Sequence, residues 1–205
     1  EQGILAHSGT YRAAASSIGL ASLERYEAFL AAAGLSYRRL SATELEEELG
    51  TRFYQAGLYS PDCYLAQPAA VIRALAIGLP STVALYEHSR VVGLDRVPGK
   101  WRVFTPKGAI TADKVVLANN AFAARLGFAR RQLASVYTYA GLTPRLPESV
   151  LDTLGTNQDW GLLPTHRLGS TLRRTSDGRL LIRSLHDYER ERPAPSIRSE
   201  LKSRL

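Results

Sequence analysis

The sequence has few of the residues that stabilise a fold through disulfide bonds or structural metal ions. Its 205 residues contain one cysteine, Cys63, and no methionine. A single cysteine cannot form an internal disulfide or a cysteine-rich zinc site, which excludes the small disulfide-rich class and favours a reducing, cytoplasmic environment. The four histidines lack the spacing of metal ligands, so no metal site is predicted.

Long apolar runs are also absent. A membrane-spanning helix needs roughly 18 consecutive apolar residues. The longest mainly apolar segment, 65–80, is interrupted by Gln67, Arg73 and Gly78. The first residues lack the charged start and apolar run of a secretory signal. Position 1 is Glu, and together with the absent methionine this suggests a segment of a longer protein.

The formal net charge is +7, which raises the question of an acidic partner. The basic residues look scattered along the sequence, and the densest groups are 130–131, 173–174 and the tail 190–204, which also contains glutamates. We therefore expect no nucleic-acid partner. A basic nucleic-acid binder is kept as an alternative that only the net charge favours.

Apolar periodicity, caps and turns predict a mixed α+β fold, without regular β-α-β alternation. Helices are predicted at 16–33, 41–49, 67–77, 121–127, 146–154 and from 193 onward. The helix at 41–49 is predicted to begin with a capping box formed by Ser41 and Glu44. Strands are predicted within 3–15 and at 36–40, 82–87, 91–97, 101–105, 110–117, 135–143, 165–174 and 179–185. The last two form a hairpin over the turn 176–178, whereas 57–66 is predicted to be loop.

Several segments, in order along the chain, resemble the D-amino-acid oxidase superfamily of flavoenzymes, which includes glycine and sarcosine oxidases. The matching segments are LSATEL (40–45), GLYSP (57–61) with QPA (67–69), LYEHSRV (85–91), WRV (101–103) with DKVVLANN (113–120), and RRT (173–175) with DGRLL (177–181). In particular they resemble the bacterial branch that oxidises γ-glutamylputrescine or similar amines. The resemblance implies FAD as cofactor.

Two features of that family are not found in the chain. The family binds the ADP half of FAD through an N-terminal G-x-G-x-x-G, whose glycines permit a tight turn and close approach to the pyrophosphate. The sequence contains neither this motif nor the family's C-terminal glycine-rich flavin loop. We therefore expect the chain to match the middle of the family, to be inactive alone, and to lose flavin on gel filtration.

The resemblance also implies a division of the chain. Residues 1–80 correspond to helical and substrate-domain elements, and 81–127 to part of the FAD-binding domain with its hairpin and inner strand. Residues 128–192 correspond to the substrate-binding sheet. Residues 193–205 begin a helix.

Five residues are predicted to contact the cofactor. Residues 115–118 are expected to form a strand buried on both faces, with Ala118 small enough for close approach to a pyrophosphate. Asn119 and Asn120 follow at its carboxyl end, where α/β sheets bind ligands. Arg90 and Val91 match the strand that ends beside the adenine. The alternative for Asn119 and Asn120 is an ordinary loop at the end of a strand. The alternative for Val91 is a strand residue without a role in binding.

Three residues are predicted to bind substrate. Tyr137 and Tyr139 are two apart on a strand and so share a face, but tyrosine also favours half-buried sheet packing. Arg173 and Arg174 point to opposite faces, so at most one can reach a site. Arg173 could grip a carboxylate with two hydrogen bonds; a solvated surface arginine is the alternative.

The resemblance implies an oxidoreductase that converts the C–N bond of an amine or amino acid to an imine by hydride transfer to FAD. No catalytic residue is assigned, because such chemistry needs orientation more than acid–base groups. The alternative is a non-catalytic binding or structural module without tight cofactor. The expected partner is a small-molecule amine or amino acid, and a homo-oligomer is compatible with the sequence.

Overall fold

The computed structural model describes residues 4–166, 168–188 and 191–205. The chain folds as two compact units. The first unit combines the segment up to Ile72 with the segment from Tyr137 onward, and the second unit runs from Arg73 to Val136. Helices accompany mixed and antiparallel sheets, which confirms the predicted α+β class.

The first unit is built on a seven-stranded sheet. In spatial order its strands are β3 (Arg38–Ser41), β4 (Ala56–Ser60), β2 (Thr10–Ala14), β10 (Trp160–Pro164), β11 (Thr171–Thr175), β12 (Arg179–Tyr188) and β9 (Val136–Leu142). Strands β2 and β10 run parallel, whereas β11 is antiparallel to both β10 and β12. A separate short ladder joins β1 (Leu5–Ala6) to β5 (Leu65–Ala66). The two distant parts of the chain therefore share one sheet.

Two helices form where local capping signals predict them. Helix α1 (Ser17–Ala32) begins at Ser16, whose hydroxyl accepts a hydrogen bond from the Gly19 N–H at 3.2 Å. Helix α2 (Ala42–Leu49) begins with the predicted capping box of Ser41 and Glu44 and ends at Gly50, which has φ 72°. Both predictions are confirmed.

The helices cover the sheet through three clusters of buried side chains. Around α1 they are Ala14, Leu23, Leu30 and Leu58. Around α2 they are Tyr11, Ala13, Leu40, Leu45, Leu49, Tyr54, Trp160 and Leu162. Around α5 (Ala194–Lys202) they are Ile182, Leu185, Ile197 and Leu201. Helices α3 (Pro68–Ile77) and α4 (Glu148–Leu151) are the remaining α-helices of the described residues.

The prediction of a loop at 57–66 is wrong in part, because strands β4 and β5 lie there. Gly57 weakens the strand signal in the sequence. In the fold, Gly57 pairs with Ala13 and Leu40, and a Cβ at this position would lie 3.1 Å from a Leu45 methyl. A side chain at position 57 would therefore press on Leu45 of helix α2, and glycine leaves room for this contact.

The second unit contains an antiparallel three-stranded sheet. Its strands are β6 (Gly93–Val97), β7 (Lys100–Thr105) and β8 (Gly108–Ala112), and a 3₁₀ helix follows at Asn120–Leu126. The predicted strand at 82–87 is not formed, and the strand predicted at 110–117 ends at Ala112. The expectation that 115–118 is buried on both faces is also wrong, since Val116 is 88% exposed. Within the described chain, no strand pairs with residues 82–87 or with residues 115–118.

The positive charge of the protein is concentrated in the second unit. Residues 73–136 contain ten Lys and Arg against three Asp and Glu, so this unit carries +7, and the rest of the chain is balanced. The basic residues look scattered in the sequence, but the excess of positive charge lies in one unit of the fold.

None of the helices in the described ranges combines the length and hydrophobicity that a membrane crossing requires. In the same ranges, no group of three His, Cys, Asp or Glu side chains is arranged to hold a metal ion.

Tyr54 makes the stability of the first unit sensitive to alkaline pH. Burial raises the pKa of its hydroxyl to about 12. Because the folded pKa lies above the ordinary value of 10.0, this contribution to stability is complete below pH 10 and is lost as the pH rises toward 12. We expect Tyr54→Phe to reduce the loss of unfolding free energy across this window by roughly 2–3 kcal/mol.

The measurement is urea unfolding at several pH values between 9 and 12, on the wild-type protein and on Tyr54→Phe. Tyr64→Phe is the matched control, because its ring is exposed. Parallel pH curves for wild type and Tyr54→Phe would contradict the assignment.

Candidate functional site

The second unit contains a cavity of about 540 Å³, named here the Arg90 cavity. Its walls are mainly aliphatic, with two arginines and one asparagine. The lining residues are Arg90, Val91, Val92, Leu94, Val103, Val115, Val116, Leu117, Ala118, Asn119, Phe122, Arg125 and Leu126. Its size falls in the range of small-ligand sites, roughly 300–1,000 Å³.

Two segments that are distant in sequence meet at this cavity. Residues 90–92 lead into β6, and the Val92 N–H donates to the Phe104 carbonyl at 2.8 Å, which extends the pairing with β7. Residues 115–119 lie between the end of β8 and the start of the 3₁₀ helix. Of the five predicted cofactor residues, Arg90, Val91, Ala118 and Asn119 line the cavity, whereas Asn120 does not.

The two asparagines of the predicted motif have different environments. The side-chain oxygen of Asn119 is buried and has no hydrogen-bond partner among the described residues. A buried acceptor without a donor costs about 1–3 kcal/mol, so this oxygen is a natural place for a ligand donor. Asn120 is exposed and adopts φ 51°, a left-handed conformation that asparagine tolerates better than most residues. The contact of Asn120 with the cofactor stays a prediction.

The first unit contains a second cavity, of about 710 Å³, named here the Arg173 cavity. It lies on the sheet face next to the segment 63–68. The lining residues are Thr10, Cys63, Tyr64, Leu65, Gln67, Pro68, Leu142, Gly161, Leu162, Leu163, Thr171, Leu172, Arg173, Thr175, Ser176, Asp177, Arg179 and Leu181.

Arg173 presents a fixed guanidinium to this cavity. Its side chain is only 15% exposed, which excludes the solvated surface arginine. Its Nη1 donates to the Ala66 carbonyl at 2.6 Å, and its Nη2 lies 3.9 Å from Asp159 Oδ1. Its Nε is buried without a partner in the described part of the chain. The group is thus held in place while retaining unused donors.

Asp159 is the nearest carboxylate to Arg173. Burial raises the pKa of the Asp159 carboxyl, and the Arg173 guanidinium opposes that rise. At 3.9 Å the pair has Coulomb attraction without the short contact of a two-pronged hydrogen bond. The positive charge of Arg173 is therefore only partly compensated within the first unit.

Arg174 points to the opposite face of β11, as the strand period predicts. Its Nη1 donates to three backbone carbonyls, those of Leu154 at 3.1 Å, Gly155 at 3.3 Å and Asn157 at 3.0 Å. The side chain is buried. Arg174 is therefore a structural residue that fixes the loop before β10.

The structure does not bring the two tyrosines to the Arg173 cavity. Tyr139 packs against the cluster under α5, and its hydroxyl accepts a hydrogen bond from the Arg192 N–H at 2.9 Å. Tyr137 is on the same face by strand alternation, whereas Leu142, which lines the cavity, is on the other face. Sheet packing therefore explains the position of Tyr139, and the role of the two tyrosines in substrate binding stays a prediction.

Three residues near the cavities were not singled out from the sequence. Phe122 and Arg125 line the Arg90 cavity, and the Arg125 guanidinium carbon lies 4.8 Å from the centre of the Phe122 ring. Their spacing of three on a helical segment was the available signal. Asp159 ends a polar run before Trp160, and only the fold shows that it lies beside Arg173.

Comparison with solved structures shows the same fold over nearly the whole chain. Glycine oxidase from Geobacillus kaustophilus superposes with a TM-score of 0.74 at 24% identity, over 98% of this chain and 54% of that chain. L-proline dehydrogenase from P. horikoshii gives 0.70 at 17% identity, over 98% and 56%. NikD, described as an unusual amino acid oxidase essential for nikkomycin biosynthesis, gives 0.60 at 18% identity, over 91% and 50%.

The chain therefore spans about half the length of the solved proteins that it matches. A search of curated proteins finds no match. A protein-family comparison matches all of residues 1–205 to one family, DAO, described as FAD dependent oxidoreductase. On this match the chain belongs to the DAO family of FAD-dependent oxidoreductases.

Proposed function

We propose that this chain supplies nucleotide-facing and substrate-facing surfaces to an FAD-dependent enzyme that oxidises the C–N bond of an amino acid to an imine. The observation that carries the proposal is the meeting of residues 90–91 with 118–119 at one cavity. These two segments are the ones that the family resemblance marks as cofactor contacts.

The residues of the Arg90 cavity fit the adenosine part of FAD. The aliphatic walls suit a flat ring system. The unpartnered Asn119 oxygen is an acceptor, and the exocyclic amino group of adenine is a donor. Ala118 leaves room for close approach of the ligand to the backbone. Arg90 supplies a cation for the negatively charged cofactor.

The Arg173 cavity supports an amino acid rather than a simple amine as substrate. A guanidinium fixed among leucines, with donors left over, is suited to a carboxylate. A simple amine would present only a positive charge to Arg173, which is unfavourable. The surrounding apolar surface, including Leu163 and Leu181, would exclude water from the bound substrate.

The proposed chemistry places few demands on acid–base residues. FAD, when bound, supplies the hydride acceptor. The residues of this chain bind the substrate carboxylate through Arg173 and hold the substrate in one orientation, which is the main catalytic contribution of a site of this kind. A cytoplasmic location and a homo-oligomer remain predictions from the sequence.

The test is made on the product of the complete natural gene. We expect it to be yellow and to release about one FAD per chain on acid denaturation, as a specific dinucleotide site requires. A colourless protein that takes up neither added FAD nor FMN would sink the proposal and favour the non-catalytic module. Release of FMN alone would show that the Arg90 cavity holds no adenosine.

A further inference from the structure

Arg125 is the second cation of the Arg90 cavity and is not among the cofactor residues that the family resemblance marks. Arg90 and Arg125 are the only charged residues that line the cavity in the described structure, and no carboxylate lines it. Neither forms an ion pair within the described residues. Two uncompensated guanidinium groups beside an apolar cavity constitute an anion-binding surface.

The guanidinium of Arg125 is kept at the cavity by its neighbour. The Phe122 ring, which also lines the cavity, lies 4.8 Å from the guanidinium carbon. Stacking on an aromatic face leaves the in-plane N–H donors of arginine free. By contrast, Arg96 and Arg102 stack on Trp101 and Phe104 and do not line the cavity.

The surrounding charge acts in the same direction. The second unit carries the whole net charge of the protein, ten basic against three acidic residues. A positive field of this kind draws anions toward the cavity, and the two lining arginines provide the short-range contacts.

We propose that Arg125, together with Arg90, binds a phosphate group of the adenine nucleotide whose adenosine occupies the Arg90 cavity. This inference rests on the proposed function and adds the residue that recognises the phosphate. Guanidinium groups match phosphate oxygens with paired hydrogen bonds, which an unphosphorylated adenosine cannot accept.

The experiment is an NMR titration of this chain without FAD. Adenosine and AMP are added separately, and the backbone amide signals of the lining residues 91, 116 and 119 are followed. We expect AMP to bind at least about tenfold more tightly than adenosine at low salt, since one charge-assisted contact to the phosphate suffices for the about 1.4 kcal/mol to which a tenfold change corresponds. We expect Arg125→Ala to reduce that ratio to below about threefold and Arg90→Ala/Arg125→Ala to remove it, each ratio being measured for AMP and adenosine on the same variant.

Arg131→Ala is the matched control, because Arg131 is exposed in the same unit and does not line the cavity. It should preserve the preference for AMP. Equal binding of AMP and adenosine to the wild type, or an unchanged preference in Arg125→Ala, would overturn the inference while leaving the adenosine site intact. If neither ligand shifts the lining amides, the proposed cofactor contact itself fails.

Discussion

Replacing Arg173 by methionine is expected to raise the KM for amino-acid substrates about 100-fold in the product of the complete gene, with a much smaller change in kcat. Methionine has similar length and no charge, so the change removes the carboxylate contact while filling the same space. Loss of one buried, charge-assisted pair typically costs about 2–5 kcal/mol, of which 2.7 kcal/mol corresponds to 100-fold.

The split between KM and kcat follows from the position of Arg173. The guanidinium is anchored by the Ala66 carbonyl at 2.6 Å and is shielded in the Arg173 cavity. On the proposed function it contacts the carboxylate, the part of the substrate that does not react, so it would contribute equally to the bound substrate and the transition state. Removal of such uniform binding raises KM and leaves kcat largely intact.

Arg183→Met is the matched control for this prediction. Arg183 is on the neighbouring strand, paired with Thr171, but it is exposed and does not line the cavity. We expect its KM to remain within about twofold of wild type, as is usual for an exposed charge. A KM that is unchanged in Arg173→Met would show that the substrate carboxylate binds elsewhere or that the substrate has none.

Replacing Arg174 by leucine is expected to lower the free energy of unfolding by about 3 kcal/mol, because three part-buried carbonyls lose a charged donor, at about 1 kcal/mol each. The residue donates to the carbonyls of Leu154, Gly155 and Asn157. The loop it fixes also holds Tyr11, whose hydroxyl accepts from Asn157 Nδ2 at 2.9 Å.

Urea unfolding followed by circular dichroism checks this expectation. Arg183→Leu serves as the control, because among the described residues this exposed arginine makes one hydrogen bond, to Thr171 Oγ1 at 2.9 Å. Its effect should stay below about 1 kcal/mol. If Arg174→Leu were as mild as the control, the three carbonyl contacts would not be the source of loop stability.

Local signals in the sequence predict much of the fold. The capping box at Ser41 and Glu44 needs only residues three apart, and the structure contains it. The β11–β12 hairpin likewise needs only its turn, where Gly178 adopts φ 78°. Such features depend on neighbours along the chain, so one sequence suffices to find them.

Features that depend on distant partners were missed. Residues 115–118 have the composition of a buried strand, but no strand lies beside them in the described chain, and Val116 is exposed. Gly57 argues against a strand locally, yet it lies in β4, where a larger residue would crowd Leu45. A strand is stabilised by its pairing partners as much as by its own residues.

In the candidate sites, too, local sequence signals predict some features, whereas others depend on residues that are distant in sequence. The strand period predicts that Arg173 and Arg174 face opposite sides, but only the fold identifies which one is anchored at a cavity. Proximity of 90–91 to 118–119 came from family resemblance and is seen again in the Arg90 cavity. Arg125 becomes visible only when the cavity walls are known.

The proposed function makes this chain part of an enzyme that transfers a hydride from a carbon–nitrogen bond to FAD. Its most direct test is an anaerobic titration of the FAD-loaded product of the complete gene with a panel of amino acids and of amines without a carboxylate. We predict that an amino acid bleaches the flavin absorbance and yields the corresponding keto or aldehyde product after imine hydrolysis. A fully loaded protein whose flavin is bleached by none of these compounds, although dithionite reduces it, would contradict the claim.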